Sequence, residues 1–503
     1  MGLLSLLTFL PVVLALPLAL RQVGVRGQRL AVLATLGLQL LLIAGLYAGN
    51  SLTMGEKLLW IRLPVGEAEL RIHYELQLDG VAWMLCLLSS LILLTAVLAT
   101  PRDVARSRLY YALLQLLNTS LIGSFLAQDL VLFYIFFELM LLPMFFLIGI
   151  WGGKRREYAA IKFFLYTLVG SLFLLLVLVG LVFSYQPEPG VHDFSLSTYC
   201  QAGTLLPGSP FAATSLRTLG FWAMFLAFAI KLPLVPVHTW LPDAHVEAST
   251  PISVILAGTL LKVGGYGLFR FVLPIFPDVV VAQQPWLLLI ACVTIVYGGL
   301  VALGQVHFKR LVAYSSVSHM GFVLLGLASL SEVGMLGALL QLFTHGVISA
   351  LLFLSAGVLY SRLGTLQLDA ASGLWRAMPR FTFFAALGIF AALGLPGLAA
   401  FVSELLVLTG TLTTAPALGY AYAFLPFAGI LLGAGYLLWA FQRLFMGPLR
   451  SPVADGVLAD LGRAEWISFG IPAFFTVLIG LYPGWLLGPL LEPVQHTLKL
   501  LGL

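Results

Sequence analysis

The sequence predicts an all-α polytopic membrane protein of about fourteen transmembrane helices. Three observations carry that expectation. Of 503 residues, 60% are hydrophobic and only 9% are charged, against roughly a quarter charged in soluble domains, and the mean hydropathy is +1.03. Apolar stretches of about 17 to 25 residues, long enough to cross a bilayer, recur from end to end. The basic residues gather in every second loop between them, which is a topology signal rather than a nucleic-acid surface, although the formal charge is +5.

In order, the first stretch, 3–20, has no basic residue ahead of it and Arg21, Arg26 and Arg29 close behind. It reads as a retained span rather than a cleaved signal peptide. Next come 30–47 and, after a long loop at 48–78, the stretches 79–99, 109–126, 130–150 and 161–184. A second long loop at 185–217, rich in Pro, Gly and Ser, shows no helical period. The later stretches are 218–237, 249–271, 285–304, 310–329, 334–360, 383–409, 420–445 and 466–489. Further basic groups are Arg102, Arg106 and Arg108; Lys154, Arg155 and Arg156; Lys309 and Arg310; Arg362, Arg376 and Arg380; and Arg443, Arg450 and Arg463. All fall on one side, which the positive-inside rule assigns to the cytoplasm or its topological equivalent. Both termini and the two longest loops are then expected on the outer side.

The chain is organised around 227–244, AFAIKLPLVPVHTWLPDA. Pro233 and Pro236 remove backbone donors inside a span, which lipid permits only where neighbouring helices or a polar cavity satisfy the freed carbonyls. The seventh helix is therefore expected to be broken. Lys231 lies well inside the apolar run, where its charge costs about 2.5 to 3.5 kcal/mol on insertion scales. Snorkelling to an interface is the competing reading, and the residue's depth argues for a switchable proton site instead. Leu395–Pro396 in the twelfth stretch echoes Leu232–Pro233 in the seventh, a spacing that fits an inverted repeat with a broken helix in each half.

Few other ionisable residues lie at depth: Glu138, Lys262, His319, His345 and Glu404, which with Lys231 make six on six different stretches. Such residues face a bundle interior and pair with one another. Glu138 is the natural partner for Lys231, and changing their separation loads or releases a proton. Structural hydrogen bonding between helices competes for the carboxylates and Lys262, and packing for the histidines. A bis-histidine haem is conceivable, with nothing else in the chain to support it. Cys86, Cys200 and Cys292 lack the spacing of an iron–sulfur or zinc site, and no Gly-rich phosphate loop follows a strand. No cofactor or metal is expected in this chain.

The stretches FFELMLLPMF, IWGGKRREYAAIKFFLYTLVGSLF, AFAIKLPLVPVHTWLPDAHVEA, LLKVGGYGLFR, AYSSVSHMGF and GLPGLAAFVSELL together resemble the NuoM/NdhD antiporter-like subunits of complex I over about residues 75–450. The resemblance implies an antiporter-like fold with two inverted five-helix repeats and broken helices 7 and 12. The chain then divides into 1–108 (helices 1–3), 109–271 (helices 4–8), 285–445 (helices 9–13) and 446–503 (helix 14 and tail). It further implies an essential pair at Glu138 and Lys231, a path continuing through Lys262, His319 and His345, and its end at Glu404. Glutamate at that last site favours the NuoM type over the other antiporter-like subunits and Mrp antiporters, which generally carry lysine there. The stretch DAHVEASTPISVILAG is similar to photosynthetic NdhD variants, which implies a thylakoid membrane and plastoquinone.

The implied function is proton translocation in the membrane arm, with protons entering near the loop 238–247 and leaving near Glu404. Quinone reduction elsewhere in the complex drives it, with NAD(P)H or ferredoxin and iron–sulfur clusters held by partner subunits. Neighbouring antiporter-like subunits and lipid are the expected partners, and nucleic acid is not. Independent Mrp-like cation/proton antiport, membership of a membrane-bound hydrogenase and a purely structural scaffold are the alternatives. The cost of holding so many charges at depth weighs against the scaffold.

Overall fold

The structure is a computed structural model that describes residues 2–20, 24–49, 51–66, 68–201, 204–452 and 458–503. Arg21, counted in the first basic group, lies outside them. Helices occupy all fourteen expected stretches. Among the described residues eleven are long and apolar enough to cross a membrane. The first span, Leu3–Leu20, and the two broken ones, Thr214–Lys231 with Trp240–Glu247 and Pro379–Ala392 with Ala399–Leu418, complete the series.

Two of the helix starts are fixed by capping carboxylates in the preceding loops. Asp79 caps Gly80–Ala99 through Ala82 N at 2.8 Å, and Asp129 caps the fifth span through Val131 N and Leu132 N at 2.9 and 3.1 Å. The stretch expected at 466–489 divides. Arg463–Leu481 stops before Pro483, and Gly484–Leu500 forms a separate helix. Its buried residues Leu486, Leu490 and Val494 recur every fourth position, one apolar stripe laid against the third and eleventh spans.

The loop 48–78 folds as an antiparallel hairpin, β1 (Gly55–Val65) with β2 (Ala68–Gln77), extended in parallel by a short β3 (Val191–Asp193) from the second long loop. Glu56 on β1 accepts Leu4 N at 2.7 Å and Ser5 Oγ at 2.5 Å, satisfying donors at the start of the first helix that lipid would leave unpaired.

Burial sorts the spans. The third, eighth, tenth and eleventh are 89%, 100%, 94% and 94% buried over their apolar windows, whereas the second, thirteenth and fourteenth are 33% buried. The centre of the bundle is thus built from helices that include those bearing Lys262, His319 and His345. The eighth span approaches the broken seventh closely. A Cβ added at Gly264 would stand 2.5 Å from Leu232 N and 2.8 Å from Phe228 O, so only glycine lets the two backbones meet there.

Candidate functional site

Both broken helices solve the same backbone problem. After Lys231, Leu232 N bonds Phe228 O and Leu234 N reaches back to Ala229 O. After Ala392, Leu393 N bonds Ile389 O and Leu395 N reaches back to Phe390 O. In the seventh span the Trp240 indole donates to Ile230 O at 2.8 Å, and Thr294 Oγ1 of the ninth span accepts Val235 N at 3.1 Å. The polar groups released by the break are therefore held by side chains, as a spanning segment requires.

Lys231 is the last residue of its helix, where the carbonyl end of the helix dipole favours a cation, and it is 2% exposed. Its Nζ donates to Phe137 O at 3.0 Å and sits 3.2 Å from the Phe137 ring centroid. The expected direct pair with Glu138 is not formed. Glu138 follows Phe137 directly, yet it is half-buried, and its Oε1 has no hydrogen-bond partner among the described residues. The fifth span is interrupted at Met140, with Pro143 unable to donate beyond it. The carbonyl just ahead of that interruption, rather than the carboxylate, receives the ammonium.

The other four residues are brought together. The eighth span widens into π-helical turns at Leu256–Leu260 and Leu268–Val272, on either side of Leu261–Gly267. Such turns free backbone groups and recur at functional sites. Here Lys262 Nζ donates to Ala257 O at 2.6 Å and lies 2.8 Å from His345 Nδ1. The His345 and His319 rings stand 5.8 Å apart, and His319 Nδ1 lies 3.2 Å from Glu404 Oε1. A cavity of about 10 Å³, room for about one water molecule, is lined by Ser315, Ser316, His319, Gln341, His345 and Ser349. His319 Nε2 is buried with no partner among the described residues. Lys262, His345, His319 and Glu404 therefore form one row across the bundle.

Glu404 owes its place to the second break. Gly394 adopts φ 78°, and a Cβ there would lie 3.0 Å from Glu404 Oε2. A side chain would both strain the backbone and press on the carboxylate.

The family model described as "NADH:quinone oxidoreductase/Mrp antiporter, TM" matches residues 127–428, which contain all six residues. The chain belongs to this family. It is 43% identical over 423 residues, 82% of this chain and 76% of the relative, to NAD(P)H-quinone oxidoreductase chain 4 2 of Thermosynechococcus vestitus. It is 38% identical to NADH-quinone oxidoreductase subunit M of Rhodobacter capsulatus, over 99% of this chain and 96% of the relative. A chain of the solved respiratory complex I from Thermus thermophilus with bound NADH superposes with a TM-score of 0.82 at 32% identity, covering 99% of this chain and 100% of that one. This antiporter-like subunit is thus of the NuoM/NdhD type, as its motifs implied.

The structure adds polar residues that the sequence reading passed over. His245, on the short helix after the first break, is 0% exposed, stacks on Phe353 at 4.4 Å and has no partner for either ring nitrogen among the described residues. Buried Lys309 donates to Ala248 O at 2.5 Å. Lys162 pairs with Asp243 at 2.6 Å. The one available signal was that 238–247 carries two histidines, an aspartate and a glutamate without Lys or Arg. Read as a loop, it hid a helix packed against the sixth and tenth spans.

Proposed function

We propose that this antiporter-like subunit moves protons across the membrane arm of a complex I-type NAD(P)H- or ferredoxin-quinone oxidoreductase through the buried row Lys262, His345, His319 and Glu404, with Glu138 and Lys231 as the controlling pair. The row itself is the observation that carries the reading: four ionisable side chains from four spans in a bundle where each isolated charge is costly. The inferred halves are 109–271 and 285–445, each with one broken helix. Protons enter from the cytoplasmic side near 238–247, where His238, Asp243 and His245 lie, and leave near Glu404.

The membrane is a bacterial cytoplasmic or a thylakoid one, and neighbouring membrane-arm subunits are the partners. Redox cofactors and quinone belong to those partners, while this chain contributes the proton path. Moving a unit charge against roughly 200 mV costs about 4.6 kcal/mol, which corresponds to a change of about 10³-fold in proton affinity at a site. Bringing a carboxylate up to a buried ammonium, or withdrawing it, supplies a change of that order. The open spacing of Glu138 and Lys231 is one end of such a motion.

The test is pumping measured with an acridine dye in membrane vesicles, normalised to assembled complex. Glu404→Gln and Lys262→Ala are expected to lose most pumping, whereas Glu404→Asp keeps part of it. Wild-type pumping by Glu404→Gln would remove Glu404 from the path and leave it a family marker.

A further inference from the structure

The last step of the row starts from a nitrogen with two partners of opposite kind. His319 Nδ1 faces Glu404 Oε1 at 3.2 Å, which can only accept when ionised, and Gln341 Nε2 at 3.5 Å, which can only donate. The orientation of the Gln341 amide is set by its other end. Ser403 Oγ donates to Gln341 Oε1, as does Thr344 Oγ1 at 3.2 Å, and the two hydroxyls lie 3.1 Å apart. Gln341 and Ser403 are both about 1% exposed or less, so these bonds lie away from bulk solvent. The amide nitrogen is thereby turned towards the imidazole.

Resting on the proton path proposed above, we infer that Gln341 is a positioning residue that makes transfer from His319 to Glu404 directional. A His319 that has received a proton on Nε2 carries N–H on both nitrogens, and its Nδ1–H points at the carboxylate. The transfer breaks that N–H bond and forms O–H on Glu404, leaving neutral imidazole beside neutral carboxylic acid. Nδ1 is then a bare acceptor, and the Gln341 N–H donates to it. This bond exists only after the proton has left, so it stabilises the product of the step and opposes its return.

The test uses the intact complex in vesicles. Gln341→Met is of similar length and removes both ends of the amide. Gln341→Glu keeps an oxygen for Ser403 and Thr344 and, when ionised, has no donor to offer Nδ1. Both variants are expected to lower pumping per quinone reduced by roughly five-fold, the size of one net hydrogen bond. Both should also shrink by a similar factor the turnover-induced infrared carboxyl signal, assigned to Glu404 by its absence in Glu404→Gln. If Gln341→Glu pumps and gives the carboxyl signal as the wild type does while Gln341→Met does not, Gln341 is only a scaffold for the hydroxyls and the inference fails. Wild-type behaviour of both variants overturns it as well. Loss of pumping in Glu404→Gln beside unaffected Gln341 variants would sink this inference alone; wild-type pumping in Glu404→Gln would take the underlying path with it.

Discussion

Lys231 shows how a charge is held at depth without a counter-ion in contact. A backbone carbonyl, an aromatic face and a helix C-terminus surround its ammonium, each a partial negative charge aimed at one point. That arrangement leaves Glu138 Oε1 without a hydrogen-bond partner among the described residues. Glu138→Gln and Lys231→Ala are each expected to abolish most coupled pumping while the complex assembles. The double variant should be no worse than either single one, because residues working as a unit are non-additive. Equal pumping by both singles and the wild type, measured in vesicles, would end the pair hypothesis. The six charged positions were legible in the sequence because ionisable residues are rare in apolar runs. Which of them touch was not, since Lys231 and Lys262 look alike along the chain and differ only in the partners that the fold brings to them.

At the scale of the element, the breaks and the π-helical turns matter more than the regular helix. Each exposes backbone carbonyls or opens room beside a charge: Ala257 O for Lys262, and the turn at Gly394 for Glu404. Gly394→Ala introduces a Cβ at φ 78° and 3.0 Å from the Glu404 carboxylate. The left-handed conformation alone costs roughly 1 to 2 kcal/mol. The expected outcome is a complex with lower thermal stability whose pumping falls further than its quinone reductase rate, because the carboxylate is displaced from His319. A variant with unchanged coupling would show that the Gly394 turn does not position Glu404. The proline-marked breaks could be read from the chain, whereas the π-helical turns at 256–260 and 268–272 could not. No residue type marks them, and they arise from the fit of the eighth span among its neighbours.

Over the whole molecule, the basic loops predict which of the two faces is cytoplasmic, and the sheet marks the other. The loop with Lys154, Arg155 and Arg156 should label from the cytoplasmic side only, and β1, β2 and the 185–217 segment from the opposite side only. Cysteine labelling in oriented vesicles tests this, and reactivity of both regions from one side would overturn the span order. On the face that carries the sheet, a cavity of about 1040 Å³ lies between β2, the ends of the third and eighth spans and Gly484–Leu500, with the Asp79–Arg270 pair among its lining groups. It stands apart from the row of proton-bearing residues.

The sequence by itself determined the membrane-spanning class, the fourteen helical stretches, the broken seventh helix and the six ionisable residues at depth. All of these follow from local physics, namely the cost of exposing backbone or charge to lipid and the missing donor of proline. The tertiary structure alone decided the hairpin that caps the first helix, the order Lys262, His345, His319, Glu404, the separation of Glu138 from Lys231 and the place of Gln341. Those depend on distances between residues 22 to 94 positions apart in the chain, which side-chain packing sets and periodicity does not record.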